Sequence, residues 1–508
     1  MLNFKNKKMK KYNFINAILI ANVAAFSFAS CSRDFLTVPA DGQQVTSNYY
    51  KSESEATSGL VAVYDILGKN SVGFENMITM MNAGSDDHYA GGGGETDGLG
   101  IQSFSNYTEN ANTVPSSFWD SHYQGIFRAN ILLQKLPNVP MDAAKIKRFT
   151  AESKTLRALY YFNLVRMFKN VPLILEPLEA ADIYKPTQAD PKAVYTQIEK
   201  DLSEAINDLP VVSPDLGRLS QGAAKALLGK VYLYDGKLTL AAQQLADVNG
   251  TPGGTSKYGY KLLSKFSDLW IVANKFNSES IIEVAHTKTG NSSFEFWGQG
   301  KDEGNSVNQM VGIRGYVKVT ANAPDLPSGW SFNVFTQNFY DFMKNDPRFK
   351  ATLLDVKALK TSGDAKYIPG YQDTGYFLNK FLPRTSDKTD GLGASELNYQ
   401  QDTYIIRLAD TYLLEAEALG ATGARAQALL DAVRARVGLA SVPVSMNAIK
   451  TERRAELAGE GHRFFDLVRW GDAATVLASR GFKAGKNEVF PIPYAELQNT
   501  KLVQNPNY

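Results

Sequence analysis

Apolar positions recur at helical spacing through much of the chain. Trp119, Tyr123, Ile126, Asn130 and Leu133 fall at alternating steps of four and three, which predicts a single buried helix face and puts Trp119 in a core. In AESKTLRALYYFNLVRMFKNVPLILEP, the side chains of Leu156, Leu159, Phe162, Val165 and Phe168 repeat every third residue, and the helix they predict must end before Pro172. Further amphipathic segments cover 191–209, 220–234, 238–246, 403–419 and 424–437. Short connections such as Asp235-Gly236-Lys237 and 420–423 suit antiparallel helix pairs. The predicted fold class is mainly α with little β, and hairpins spaced by about 35–45 residues point toward a tetratricopeptide-like array.

Three long tracts without periodicity interrupt the helices, near 82–115, 287–330 and 360–402. Structureless connections of that length in a compact domain are usually functional or disordered. They are rich in rings: Phe294, Phe296, Trp297, Tyr316 and Trp330 lie among Gly, Ser and Asn, a composition that presents aromatics instead of burying them. Trp270 and Trp470, by contrast, read as core residues.

Composition changes the picture at the N-terminus. The chain has 508 residues, with 54 Lys and Arg against 52 Asp and Glu. Residues 1–30 hold five lysines and no acid, so removing them leaves 49 basic against 52 acidic residues, a formal charge of −3. A basic nucleic-acid footprint is therefore not expected of the exported chain. The cationic start, the apolar stretch from Phe14 to Phe28 and the small residues before Cys31 read as an export signal over 1–30, with Met9 a plausible second start. Cys31 is the only cysteine, which rules out a disulfide scaffold. Its position resembles a bacterial lipobox; in that reading Cys31 carries several acyl chains, enough for stable anchoring. An ordinary signal peptide with an incidental cysteine is the alternative. Residues 31–47 are polar and aperiodic, as a tether would be, and 48–508 are expected to form one domain.

The segment TERRAELAGEGHRFFDLVRWGD, 451–472, interleaves Glu452, Arg453, Arg454, Glu456, Glu460, Arg463, Asp466 and Arg469 with Leu457, Phe464, Phe465, Leu467 and Trp470, while Gly459 and Gly461 divide it into two helices. Charges this close to rings predict a partly buried ion-pair network that fixes geometry. This segment and the closing NEVFPIPYAELQNTKLVQNPNY resemble the SusD/RagB family of nutrient-uptake lipoproteins, as do FWDSHYQGIFRANILL, DTYIIRLADTYLLEAEAL and FYDFMKNDPRFKATLL, in the family's order. The resemblance spans nearly all of Cys31–Tyr508. It implies a single-domain α-superhelix with tetratricopeptide-like pairs, anchored by lipid to the outer membrane and facing outward. It further implies a non-enzymatic role, capturing oligosaccharides and passing them to a SusC-like TonB-dependent porin. Peptide capture by the same kind of lid, a surface glycoside hydrolase and a purely structural lid are the alternatives.

No motif argues for catalysis: His-Glu-x-x-His, Gly-x-Ser-x-Gly and Gly-Lys followed by Ser or Thr are all missing from the sequence. Of the four histidines, His122 and His462 sit in helical or charged segments and read as structural. The densest polar cluster is Ser85-Asp86-Asp87-His88-Tyr89-Ala90 followed by four glycines, Glu95 and Asp97. Asp86, Asp87, His88 and Tyr89 are candidate sugar contacts, with Gly91–Gly94 letting backbone approach a ligand. Alternatively Asp86, Asp87, Glu95 and Asp97 hold a calcium ion, which takes six to eight oxygens; a solvated loop is the third possibility. Trp297 and Trp330 are candidate platforms for the apolar face of a pyranose, with Tyr316 adding a ring and a hydroxyl. Phe294 and Phe296 are secondary candidates.

Overall fold

Residues that can cap helices stand where the helices begin. The computed structural model describes residues 49–288, 293–295, 297, 303–389 and 393–508; the leader, Cys31, the tether and Phe296 lie outside the described residues. Ser52 and Glu55 form a reciprocal capping box at the start of helix Glu53–Tyr64. Asp142 accepts hydrogen bonds from the backbone of Ala144 and Lys145 to open helix Ala143–Phe168, and Asp190 with Pro191 opens Pro191–Ala205. Helices Ser117–Lys135, Ala143–Phe168, Pro191–Ala205, Gln221–Tyr234 and Leu238–Asn249 pack on one another in chain order, and Leu408–Ala418 and Gly423–Arg436 continue the array. The three-residue repeat from Leu156 to Phe168 is wholly buried, and Trp119 lies in the core as the periodicity requires. Ser52–Tyr508 is one compact unit, and the architecture is mainly α.

One expected helix is corrected at its start. Thr403–Arg407 is a strand, antiparallel to Ser280–Val284, and the helix begins only at Leu408. Four of its five residues are buried, so the polar alternation that marks a half-exposed strand is lost.

The long tracts are not structureless either. Each contributes short elements: helix Leu99–Ser105, helix Ser306–Val311, and strands Ala365–Lys366 and Tyr376–Leu378. Val307, Val311, Tyr316, Phe335, Phe377 and Phe381 join a second core that also takes Ala455 and Ala458 from the C-terminal motif. These partners are remote in sequence, so no local period announces them.

The ion-pair network predicted for 451–472 is present and more deeply buried than expected. Glu456 accepts from Arg348 at 3.0 Å and from Arg407 at 2.6 Å, and it also pairs with Arg436. Glu460 binds Arg407 and Lys380, each at 2.8 Å, while Arg453 bridges Asp410 and Asp466. Burial pushes the Glu456 carboxyl up, but the charges of Arg436, Arg407 and Arg348 outweigh it and hold the group well below the usual carboxylate range. Neither Glu456 nor Glu460 is therefore poised as a general acid, a role that needs a raised pKa.

Burial pushes all four histidines down, His88 and His286 to about 3 and His122 and His462 to about 4. A depressed imidazole stabilises the fold fully above its unfolded value. Each contribution is lost as pH falls from about 6.5 toward the folded value, at ~1.4 kcal/mol per pH unit. The expected result is that no histidine ring signal titrates between pH 8 and pH 5 in NMR spectra of the folded protein; a ring with a midpoint near 6.5 would contradict this packing.

Candidate functional site

The polar cluster at Asp86–Tyr89 is tied into the fold by ion pairs and hydrogen bonds. Segment 87–92 runs antiparallel to 331–336, with Tyr89 N–H donating to Val334 at 2.9 Å, Asn333 N–H to Ala90 at 2.9 Å and Thr336 N–H to Asp87 at 2.9 Å. Arg463 grips Asp86 at 2.8 Å, and Arg454 donates to Asp87 at 2.7 Å. Asp86 is pushed up by burial, yet the hydrogen bond and charge of Arg463 and the charge of Arg454 bring it below its ordinary value; Asp87, more deeply buried, stays above its own. His88 stacks on Phe335 at 4.1 Å and its Nδ1 bonds the Asn333 carbonyl at 2.8 Å. Tyr89 is half-buried beside the Arg480 guanidinium, 5.5 Å from its ring. The cluster thus joins an early segment to the C-terminal motif. Tyr316 is 6% exposed, and its hydroxyl donates to the Pro324 carbonyl at 2.8 Å.

Of the candidate calcium ligands, Asp86 and Asp87 pair with arginines and Asp97 accepts from Gly93 N–H at 2.6 Å. Among the described residues no group of three metal-ligating side chains converges.

Trp297 and Trp330 do come together. Their ring centroids are 5.4 Å apart at an interplanar angle of 73°. Phe74 lies 5.7 Å from Trp297 and 6.4 Å from Trp330, and Phe294 lies 6.1 Å and 6.4 Å from the same two rings. Phe332, buried, supports Phe74 from 5.1 Å. Trp297, Trp330 and Phe74 are half-buried and Phe294 is exposed, so the group offers ring faces and edges to solvent over an apolar base. The rings are fixed: Trp297 Nε1 donates to Ser306 Oγ at 2.7 Å, and the same oxygen accepts from Gly73 N–H at 3.0 Å, next to Phe74. Trp330 N–H donates to the Gln309 carbonyl at 3.0 Å. Ser331 and Asn333 both adopt positive φ, a costly conformation that the surrounding hydrogen bonds enforce.

The glycine tract abuts these rings. At Gly92, φ is +88° and a Cβ would stand 2.6 Å from the Phe332 ring; at Gly98, φ is +73° and a Cβ would stand 2.4 Å from Phe74. Only glycine satisfies both demands. Asp97 and Arg314, 3.7 Å apart and each a little over one third exposed, form a charged rim where Arg314 also reaches the Trp330 carbonyl. Gly98→Ala is expected to displace the Phe74 ring and to cost roughly 1–3 kcal/mol through strain and backbone conformation. A denaturation midpoint equal to that of the unmodified protein would show the contact to be slack.

Sequence reading found the two tryptophans through their loop composition but missed Phe74 and Arg314. Phe74 stands alone in VGFENM and Arg314 in IRGY, with no neighbouring pattern to mark either. Inclined aromatic faces beside a carboxylate and a guanidinium suit a ligand that is apolar on its faces and hydroxylated at its edge.

A helical scaffold that fixes four rings and a charged rim at one surface has the make-up of a binding protein. Residues 328–508 match the SusD family, and residues 34–233 match the family described as starch-binding associating with outer membrane. A solved laminarin binding SusD-like protein is 65% identical, over 90% of this chain and 100% of that one, with a TM-score of 0.90. Surface glycan-binding protein A from Bacteroides thetaiotaomicron in complex with laminarihexaose is 25% identical, over 89% of this chain and 99% of that one, with a TM-score of 0.79. SusD-like protein P25 of Formosa agariphila is 25% identical over 95% of this chain and 97% of its own length. The chain belongs to the SusD family.

Proposed function

We propose that this protein is a surface glycan-binding lipoprotein that captures β-1,3-glucan oligosaccharides of the laminarin type and hands them to a TonB-dependent porin. The observation that carries the reading is the fixed group of Phe74, Phe294, Trp297 and Trp330 rimmed by Asp97 and Arg314. The 65% identity to a laminarin binding protein supports the choice of glucan. Rigid aromatics cover the C–H face of a pyranose at little entropic cost, and rings inclined at 73° suit a curved chain better than a flat one. Anchoring through Cys31 at the outer membrane, facing outward, follows from the same reading and agrees with the outer-membrane description of the matching family. The protein is proposed to bind without cutting, a reading supported by its likeness to proteins named for binding laminarin and surface glycans.

The test is calorimetric titration of Ser32–Tyr508 with laminarihexaose, maltohexaose, cellohexaose and mixed peptides, with new reducing ends assayed in each mixture. Saturable binding of laminarihexaose without cleavage is expected. Cleavage would make the protein a hydrolase, and preference for peptides would move the ligand class.

A further inference from the structure

A cleft elsewhere on the protein shares no lining residue with the ring platform. It encloses about 990 Å³ between segment 264–273, Lys350, the stretch from Asn379 to Asp387, and the end of helix Gly423–Arg436. That volume accommodates several sugar units. Its floor is aromatic: Trp270, read from sequence as core, is half-buried and lines the cleft, with Phe266 6.2 Å away. Trp270 Nε1 has no hydrogen-bond acceptor.

The charge of the cleft is unbalanced. Arg436 is neutralised by Glu279 and Glu456. Lys265, Lys350 and Arg384 line the cleft beside one carboxylate, Asp387, and none of the three makes an ion pair among the described residues. Arg384 is the informative one. It is half-buried, and its Nη2 donates to Asn379 Oδ1 at 2.8 Å, with the Asn379 carbonyl at 3.5 Å. Burial holds this guanidinium below its usual range, although the nearby Asp387 charge opposes the shift. The fully buried Arg348, Arg407 and Arg453 pair with carboxylates, whereas Arg384, like Arg480, meets only neutral acceptors directly. Asp387 lines the same cleft and partly offsets the burial of Arg384 without forming an ion pair with it, so an anion brought by a ligand to hydrogen-bond distance would lower the remaining cost.

We propose that this cleft is a second binding site, for an anionic saccharide, with a carboxylate or sulfate ester at Arg384 and a sugar ring against Trp270. Lys265 and Lys350 add long-range attraction at the mouth. That the ligand is a saccharide rests on the glycan-binding reading above; that it is anionic rests on the cleft alone. One protein would then hold a neutral glucan on the ring platform and an acidic chain at a separate place.

The test is calorimetry on Ser32–Tyr508 at low salt with tetragalacturonate, a sulfated carrageenan tetrasaccharide, a hexaglutamate peptide and laminarihexaose. At least one of the two acidic saccharides is expected to bind saturably. Its affinity should fall tenfold or more in Arg384→Met, several-fold in Lys350→Ala, and with added salt, whereas the laminarihexaose titration stays unchanged in both variants. The two saccharides separate carboxylate from sulfate recognition. Thermal melting checks the folding of Arg384→Met, and the exposed Lys350→Ala decides the matter if that variant is destabilised. The proposal is overturned if neither acidic saccharide binds, if both variants bind as the unmodified protein does, if Trp330→Ala abolishes acidic-saccharide binding, or if hexaglutamate binds more tightly than either sugar. Failure of laminarihexaose to bind would sink the glucan reading separately.

Discussion

Glu456→Ala is expected to leave the protein unable to hold its native fold at ordinary temperature. Glu456 is fully buried and serves Arg348, Arg407 and Arg436 together, with Lys380 donating to its backbone carbonyl at 2.9 Å. Removing one partner of a buried pair typically costs about 3–5 kcal/mol because the other charge is stranded. Here three guanidiniums lose a shared carboxylate, and a whole domain is stable by only ~5–15 kcal/mol. The loss reaches far, because Arg348 joins the C-terminal motif to the second core and Arg407 joins it to the strand pair with Ser280–Val284. Glu456→Gln keeps the shape without the charge and should fall between the two. The sign of the pH dependence follows from the depressed carboxyl: this stabilisation is complete above the unfolded value near 4.3 and is lost as pH falls through the folded one. Urea denaturation of soluble protein checks the expectation; a change below about 1 kcal/mol would show the network to be redundant.

Trp330→Ala carries the second large effect, on binding. Trp330 touches Phe74, Phe294 and Trp297, so its removal takes a ring from the platform and withdraws support from three others. Truncating a central aromatic anchor costs about 2–4 kcal/mol, which corresponds to a weakening of laminarihexaose binding by roughly 30-fold or more. Trp297→Ala should do nearly as much, because it also leaves Ser306 Oγ without the indole donor. Stability should change far less, since both rings are half-buried and Phe332 remains beneath them. Affinities measured calorimetrically on folded variants decide the point, and unchanged values in both would remove the platform from the binding account.

What the sequence disclosed follows the range over which each interaction acts. The helices at Ser117–Lys135 and Ala143–Phe168 were legible because each writes its buried face locally, and Pro172 bounds the second. Thr403–Arg407 was misread although Thr-Tyr-Ile-Ile is strand-forming, because its burial removes the alternation. Trp297 and Trp330 stood out as rings in tracts of small polar residues. The pairing of Asp86 and Asp87 was not legible for the opposite reason: their partners, Arg454 and Arg463, lie more than 360 residues along the chain. The ion-pair expectation for 451–472 succeeded because like and unlike charges alternate there with apolar residues at helical spacing, so only burial could accommodate both. The partners outside that motif, Arg348, Lys380 and Arg407, carry no local mark of their role.

The most direct test of the glycan-binding account is a crystal structure of Ser32–Tyr508 with laminarihexaose. The expected result is sugar rings lying on Trp297 and Trp330, with ligand hydroxyls near Asp97 or Arg314. Density for the oligosaccharide at another surface, with the four rings left bare, would contradict it.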